Sequence, residues 1–176
     1  HVAHGVTHLG PVACDENPLS PLADLLHEAL PEVAWHNDIL PACWNKLAIN
    51  CVINPLSIKY DCPNGELLQY SGEITTLCEE IAAVMNREGL YADARQLQQS
   101  VTHVMQNSAA NYSSMLQDIR TGRRTEIDYI TGYLLRKAVG YGIAVPANRE
   151  LYQRVKTKES ADGHPKISAG LSGAWQ

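Results

Sequence analysis

From about residue 21 onward, apolar positions recur at intervals of three and four, the period of helices that bury one stripe. Ahead of that, residues 1–13 (HVAHGVTHLGPVA) alternate weakly around Gly5 and Gly10, which predicts one strand, or two short ones bent at a glycine. Residues 14–20 form a polar, proline-bearing loop. Leu22, Leu25, Leu26 and Leu30 then make an apolar stripe that Pro31 stops, and Val33, Ala34 and Trp35 read as a short extended link. A second helix is predicted from about Ile39 to Asn54, ending before Pro55, because proline lacks the amide that would continue the ladder. The run 59–65 (KYDCPNG) is a turn by composition. Residues 72–88 predict a third helix, with Ile74, Leu77, Cys78, Ile81, Ala82 and Met85 inward and Gly89 as its stop. Residues 92–120 read as helix with a weak point near Asn107–Asn111, and Gly122 marks the turn 121–124. Thr125 to Gly140 predicts another helix, then a break at GIAVP and a last helix over 148–159. The tail after Ser160 is rich in Gly, Ser and Pro and is expected to fray.

The fold class is therefore mainly α. One helical domain (14–160) is expected, led into by strand from 1–13 and followed by a flexible tail (161–176). No repeat of 20–50 residues and no sustained heptad pattern alters this reading.

Composition narrows the function classes. Of 176 residues, 45% are hydrophobic and 19% charged, enough to bury a core. The net charge of −5 argues against broad nucleic-acid binding, which needs a basic footprint. No apolar run reaches the roughly 18 residues of a membrane span, so neither nucleic acid nor membrane is expected as a partner. The five cysteines (Cys14, Cys43, Cys51, Cys62, Cys78) are odd in number and contain no C-x-x-C pair, which suggests reduced thiols in a cytoplasmic protein. His1, His4 and His8 lie close together, but a strand puts His4 and His8 on one face and His1 on the other. No carboxylate or cysteine completes the set, and no metal is expected. The sequence contains neither G-x-G-x-x-G nor G-x-x-x-x-G-K-[ST], hence no phosphate-cradling loop.

Two groups of polar residues fit the apolar pattern poorly. Lys46, Asn50 and Asn54 stand four apart in the second helix, and each step of four turns only about 40°, so they share a narrow face. Asparagine is a poor helix former because its amide competes for the backbone. A solvated face accounts for the strip; so does a polar strip lining a cleft, where amides hold hydroxyls and carboxylates and the lysine offers a cation and a proton. The second group is 111–128 (NYSSMLQDIRTGRRTEID). Here Glu126 fits the first turn of a helix capped by Thr125, where a carboxylate favours the dipole, and Arg120, Arg123 and Arg124 fit a solvated turn.

Together these motifs resemble the ketopantoate reductase family. The resemblance rests on the run Trp44 to Leu56 (WNKLAINCVINPL), on Cys62-Pro63-Asn64-Gly65-Glu66-Leu67, and on Ser113-Ser114-Met115 with Asp118. It continues in Gly122-Arg123, Thr125-Glu126-Ile127-Asp128 with Gly132, Gly142 to Pro146 with Asn148, and Leu151 with Lys156. It covers roughly residues 1–160, and one departure is Thr131, where relatives often carry Asn.

The resemblance implies the C-terminal helical domain of such an enzyme, similar to the C-terminal domain of 6-phosphogluconate dehydrogenase, preceded by the final strand of an N-terminal Rossmann domain. The family reduces ketopantoate to pantoate with NADPH, on the way to pantothenate and coenzyme A, in a cleft between the two domains. Carried over, Lys46 is the general acid, Asn50, Asn54, Asn64 and Ser114 bind substrate with Asn111 nearby, and Glu126 contacts the cofactor side and keeps Lys46 charged or oriented. The His1 start, without a methionine, is then expected to mark a fragment that alone neither binds NADPH tightly nor turns over substrate. Two alternatives stand beside this reading. One is a non-catalytic helical dimerisation or interaction module, which would place apolar anchors rather than a lysine and stacked amides on its exposed face. The other is a related dehydrogenase for another 2-keto acid. Oligomeric state is left open.

Overall fold

The computed structural model describes residues 6–12, 20–30 and 32–161. The expectations for His1, His4, Gly5 and Cys14, most of the 14–20 loop and the tail beyond Ala161 lie outside the described residues. The chain divides into two compact units, His1–Leu47 and Ala48–Gln176.

In the first unit, strand β1 (Thr7–Leu9), helix α1 (Ser20–Ala29) and strand β2 (Val33–Trp35) follow one another. The strands pair in parallel, Thr7 opposite Val33, His8 opposite Ala34 and Leu9 opposite Trp35. Parallel neighbours need a crossover connection, which the segment holding α1 supplies. The segment read as an extended link is thus a second strand, too short for an alternation signal. Leu25, assigned to a buried stripe, is 64% exposed, and Leu30 is also exposed. The α1 period is helical as expected, but these two side chains meet no core within the described residues.

Helix α2 (Leu40–Tyr60) begins in the first unit and continues through the second, with Pro55 inside it. The expected stop before Pro55 is corrected. Every residue from Cys51 to Ile58 is buried. Burying a side chain such as Leu56 or Ile58 contributes about 1.5–3 kcal/mol. Together they offset the roughly 3 kcal/mol that an interior proline costs. The helix ends instead at Asp61, whose φ is +49° and whose side chain accepts from Arg120 Nη2 at 2.9 Å.

The rest of the second unit is a 3-10 helix (Asn64–Tyr70) and helices α3 (Ser71–Arg87), α4 (Ala94–Asn107), α5 (Ser114–Arg120), α6 (Thr131–Gly140) and α7 (Pro146–Ala161). Helix α3 packs against the 3-10 helix, α4, α6 and α7, and its inward face (Ile74, Leu77, Cys78, Ile81, Ala82, Met85) is buried as its period predicts. It stops at Gly89, which takes a φ of +81°. The helix expected from Thr125 starts only at Thr131. Residues 125–130 are not helical: a bend at Glu126 leads into turns over 127–130, where the Tyr129 and Ile130 amides both close onto the Glu126 carbonyl.

The loop between α4 and α5 is tied to the 3-10 helix by backbone bonds from Asn64 N to Asn111 O (2.9 Å) and from Gly65 N to Ala109 O (3.0 Å). The approach is so close that a Cβ on Gly65 would lie 2.7 Å from the Ala109 Cβ. Gly65→Ala is expected to destabilise the protein by about 1–3 kcal/mol through overpacking. Gly72→Ala, in α3 with nothing within 4 Å of the added carbon, is expected to be neutral or stabilising by up to about 1 kcal/mol. Denaturant unfolding of the two variants checks the pair; equal stabilities would contradict it.

Candidate active site

The three polar positions of α2 differ in burial. Lys46, in the first unit, is exposed; Asn50 is half-buried; Asn54 is only 6% exposed. A solvated face therefore fails to account for Asn54. Its position within an all-buried stretch of helix requires a reason for an amide there.

In the second unit, hydrogen bonds and short backbone links connect Asn54 to three other residues singled out from sequence. Ser57 Oγ donates to the Asn54 carbonyl at 2.8 Å and lies 2.5 Å from Ser113 Oγ. Ser113 caps α5 by accepting from Leu116 N at 3.1 Å, and the next residue, Ser114, is exposed at the first position of that helix. The same loop carries Asn111, whose carbonyl accepts from Asn64 N. Asn64 is itself buried; its Nδ2 donates to Ser108 Oγ at 2.9 Å. Its Oδ1 is buried without a hydrogen-bond partner among the described residues. Leaving such a buried acceptor unsatisfied costs about 1–3 kcal/mol. Asn54, Asn64, Asn111 and Ser114 are thus joined through three elements. Glu126 is not part of this network: it is an exposed residue of the 125–130 turn.

Sequence reasoning passed over Ser57 and Ser108. Ser57 stands three residues after Asn54, the spacing for a side chain to reach back to a helical carbonyl, which was the available signal. Nothing local marks Ser108. Two clefts of about 250 and 400 Å³ lie elsewhere in the second unit, and Lys59, Glu73 and Glu150 help line the first, Asp61, Arg120 and Lys158 the second. Among the described residues no group of three or more His, Cys, Asp or Glu is placed to hold a metal ion. His8 Nδ1 instead lies 2.8 Å from His36 Nε2. Cys43, Cys51, Cys62 and Cys78 are free thiols, and burial pushes those of Cys51 and Cys78 up to about 12, which keeps them protonated and unreactive. No helix among the described residues is long and apolar enough to cross a membrane.

Residues 38–159 match the family described as ketopantoate reductase PanE/ApbA C terminal. The chain belongs to this family. It is 53% identical over 178 residues to 2-dehydropantoate 2-reductase of Yersinia pestis, covering 99% of this chain and 57% of that protein. Its identity to the enzyme of Escherichia coli O157:H7 is also 53%, over 175 residues and with the same coverage. The chain thus spans less than two thirds of the length of these relatives. Among solved structures it is similar to a PanE/ApbA family ketopantoate reductase from Ralstonia eutropha JMP134 (TM-score 0.80, 29% identity, 93% of this chain and 54% of that one). It is also similar to D-mandelate dehydrogenase with NADH and anilino(oxo)acetate (TM-score 0.85, 27% identity, 92% and 69%).

The turn that carries Glu126 is held from α7. Glu159, only 5% exposed, accepts from Thr125 N (2.8 Å) and Thr125 Oγ1 (2.7 Å) through Oε1. Lys156 bridges Glu159 Oε2 (2.8 Å) and Asp128 Oδ2 (3.0 Å), while the Tyr152 hydroxyl donates to Asp128 Oδ1 at 2.6 Å. Burial pushes both carboxyls up. The bonds from Tyr152, Lys156 and Arg124 to Asp128, and from Lys156 and Thr125 to Glu159, outweigh it and leave both below the usual carboxylate range.

A carboxyl depressed in the folded state contributes stability that is present above its unfolded value and is lost as pH falls through the folded one. The melting temperature of Lys156→Met is therefore expected to lie furthest below that of the unsubstituted protein near neutral pH. The gap should close as pH falls below about 4, where both carboxyls gain protons. Thermal melts across that window check this; a gap that does not change with pH would contradict it.

Proposed function

We propose that this chain is the substrate-binding and catalytic helical part of an NADPH-dependent 2-dehydropantoate 2-reductase, which reduces ketopantoate to pantoate. Membership of the ketopantoate reductase family supports the reading, and the observation that carries it is the burial of two amides, Asn54 and Asn64, the second with its Oδ1 left without a hydrogen-bond partner. Relatives at 53% identity bear the name of that enzyme.

In this reading a nicotinamide cofactor supplies the hydride. Charge that builds on the substrate's ketone oxygen is met by the Lys46 ammonium, which donates the proton to that oxygen. Asn50, Asn54, Asn64, Asn111 and Ser114 supply donors and acceptors for the substrate hydroxyl and carboxylate and so present the ketone in one orientation. Glu126, an exposed carboxylate on a turn braced by Glu159, is an acceptor for the cofactor's hydroxyl or amide groups. It is the residue here that fits the cofactor, whereas the phosphates find no glycine-rich strand-to-helix turn anywhere in this sequence. The 176 residues by themselves then bind NADPH weakly and do not turn over ketopantoate.

A second reading is favoured by the similarity to D-mandelate dehydrogenase with an oxoacetate bound: the same architecture acting on another 2-keto acid. Steady-state rates of the full-length protein with ketopantoate and with aromatic 2-keto acids separate the two. In the full-length enzyme, Lys46→Ala is expected to lower kcat by about 10²–10⁴-fold with the fold intact by circular dichroism. An unchanged kcat would overturn the acid role.

A further inference from the structure

The bonds around Ser57 admit only one arrangement of hydrogens. The Asn54 carbonyl can only accept and the Leu116 amide can only donate. If all contacts are made, the Ser57 hydroxyl gives its proton to Asn54 O (2.8 Å). Ser113, which accepts from Leu116 N (3.1 Å), then gives its proton to Ser57 Oγ (2.5 Å). The result is a one-way chain, Leu116 N–H to Ser113 O–H to Ser57 O–H to Asn54 C=O. Ser57 is 0% and Ser113 6% exposed, so water does not compete for these bonds, and aligned donors strengthen one another.

The chain ends where α2 is weakest. Asn54 precedes Pro55, and the residue before a proline is sterically disfavoured in helical conformation. The Ser57 hydroxyl holds that peptide from within the helix, and Ser113 holds Ser57 from the start of α5. One end of the chain therefore carries Asn54 and the other carries Ser114, 60 positions later in the sequence but linked here by two hydroxyls.

We propose that the buried Ser57–Ser113 hydroxyl pair is a positioning device for the 2-keto acid site, setting Asn54 and Ser114 in register and so governing substrate affinity rather than the chemical step. The inference rests on the functional reading above. Neither serine is assigned to touch substrate; both act through the residues they hold.

The test uses the full-length enzyme and three rate parameters. Ser57→Ala is expected to raise KM for ketopantoate about three- to tenfold, the worth of roughly one hydrogen bond. The values of kcat and of KM for NADPH should stay within about twofold. Ser57→Thr, which keeps the hydroxyl, is expected to restore the KM. Ser57→Ala/Ser113→Ala should raise it no further than the larger single effect, because both changes break one chain. Ser57→Cys, of similar volume and a weaker donor, replaces Ser57→Ala if that variant does not fold, with the same expectation. A lower melting temperature with unchanged KM would make the pair merely structural and overturn the proposal. A full-length enzyme active on a different 2-keto acid would overturn the ketopantoate assignment, and the same variants read with that acid then decide this proposal. Absence of any 2-keto acid reduction would overturn both.

Discussion

Helix α2 has to bury its middle completely while carrying a proline and an amide inside the buried stretch. From Cys51 to Ile58 every residue is buried, so the backbone polar groups there rely on protein partners. Much of the surrounding structure can be understood as meeting that demand. The apolar residues Val52, Ile53, Leu56 and Ile58 supply the burial that keeps the helix running through Pro55. Ser57 closes the Asn54 carbonyl, and Ser113 closes Ser57. The helix is released only at Asp61, where a left-handed residue and the Arg120 ion pair end it.

A second constraint recurs in the way turns are held. Carboxylates on one helix tie down the start or end of another. Glu80 of α3 accepts from the Ala147 and Asn148 amides at the start of α7, satisfying donors that the helix itself cannot. Glu88, just beyond α3, receives Lys137 and Tyr141 from the end of α6. Glu159 of α7 holds Thr125, and Asp128 in the same turn gathers Arg124, Tyr152 and Lys156. The turn that presents Glu126 is therefore held largely by residues far from it in sequence. The proposed cofactor contact depends on a network in which Glu126 itself takes no part.

The helices α3, α4, α5 and α7 were legible because their apolar residues repeat at helical spacing and because Gly89 and Gly122 punctuate them. Places where the pattern misled share one cause. Pro55 reads as a stop, yet the burial of Leu56 and Ile58 outweighs its local preference. Val33–Trp35 is too short to show alternation and becomes a strand only by pairing with Thr7–Leu9. Thr125 and Glu126 carry the composition of a helix start, but Glu159 and the Asp128 network hold them as turn. In each case a partner distant in sequence overrules a local propensity. Among the candidate site residues, spacing alone marked Lys46, Asn50 and Asn54. The polar run 111–128 marked Asn111, Ser114 and Glu126, whose roles came from the family resemblance; Asn64 emerged through the resemblance alone, and Ser57 and Ser108 through neither.

By itself the sequence determined that this protein is mainly helical, which residues could carry acid and amide chemistry, and which family its motifs resemble, since those properties belong to residue types and their spacing. Only the tertiary structure decided that Asn54 is buried, that the buried Asn64 Oδ1 is left without a partner, that Ser57 meets Ser113, and that Glu126 is exposed on a braced turn. Burial and hydrogen bonding are properties of pairs brought together by folding, and pairs separated by 34 or 56 positions leave no trace in local periodicity.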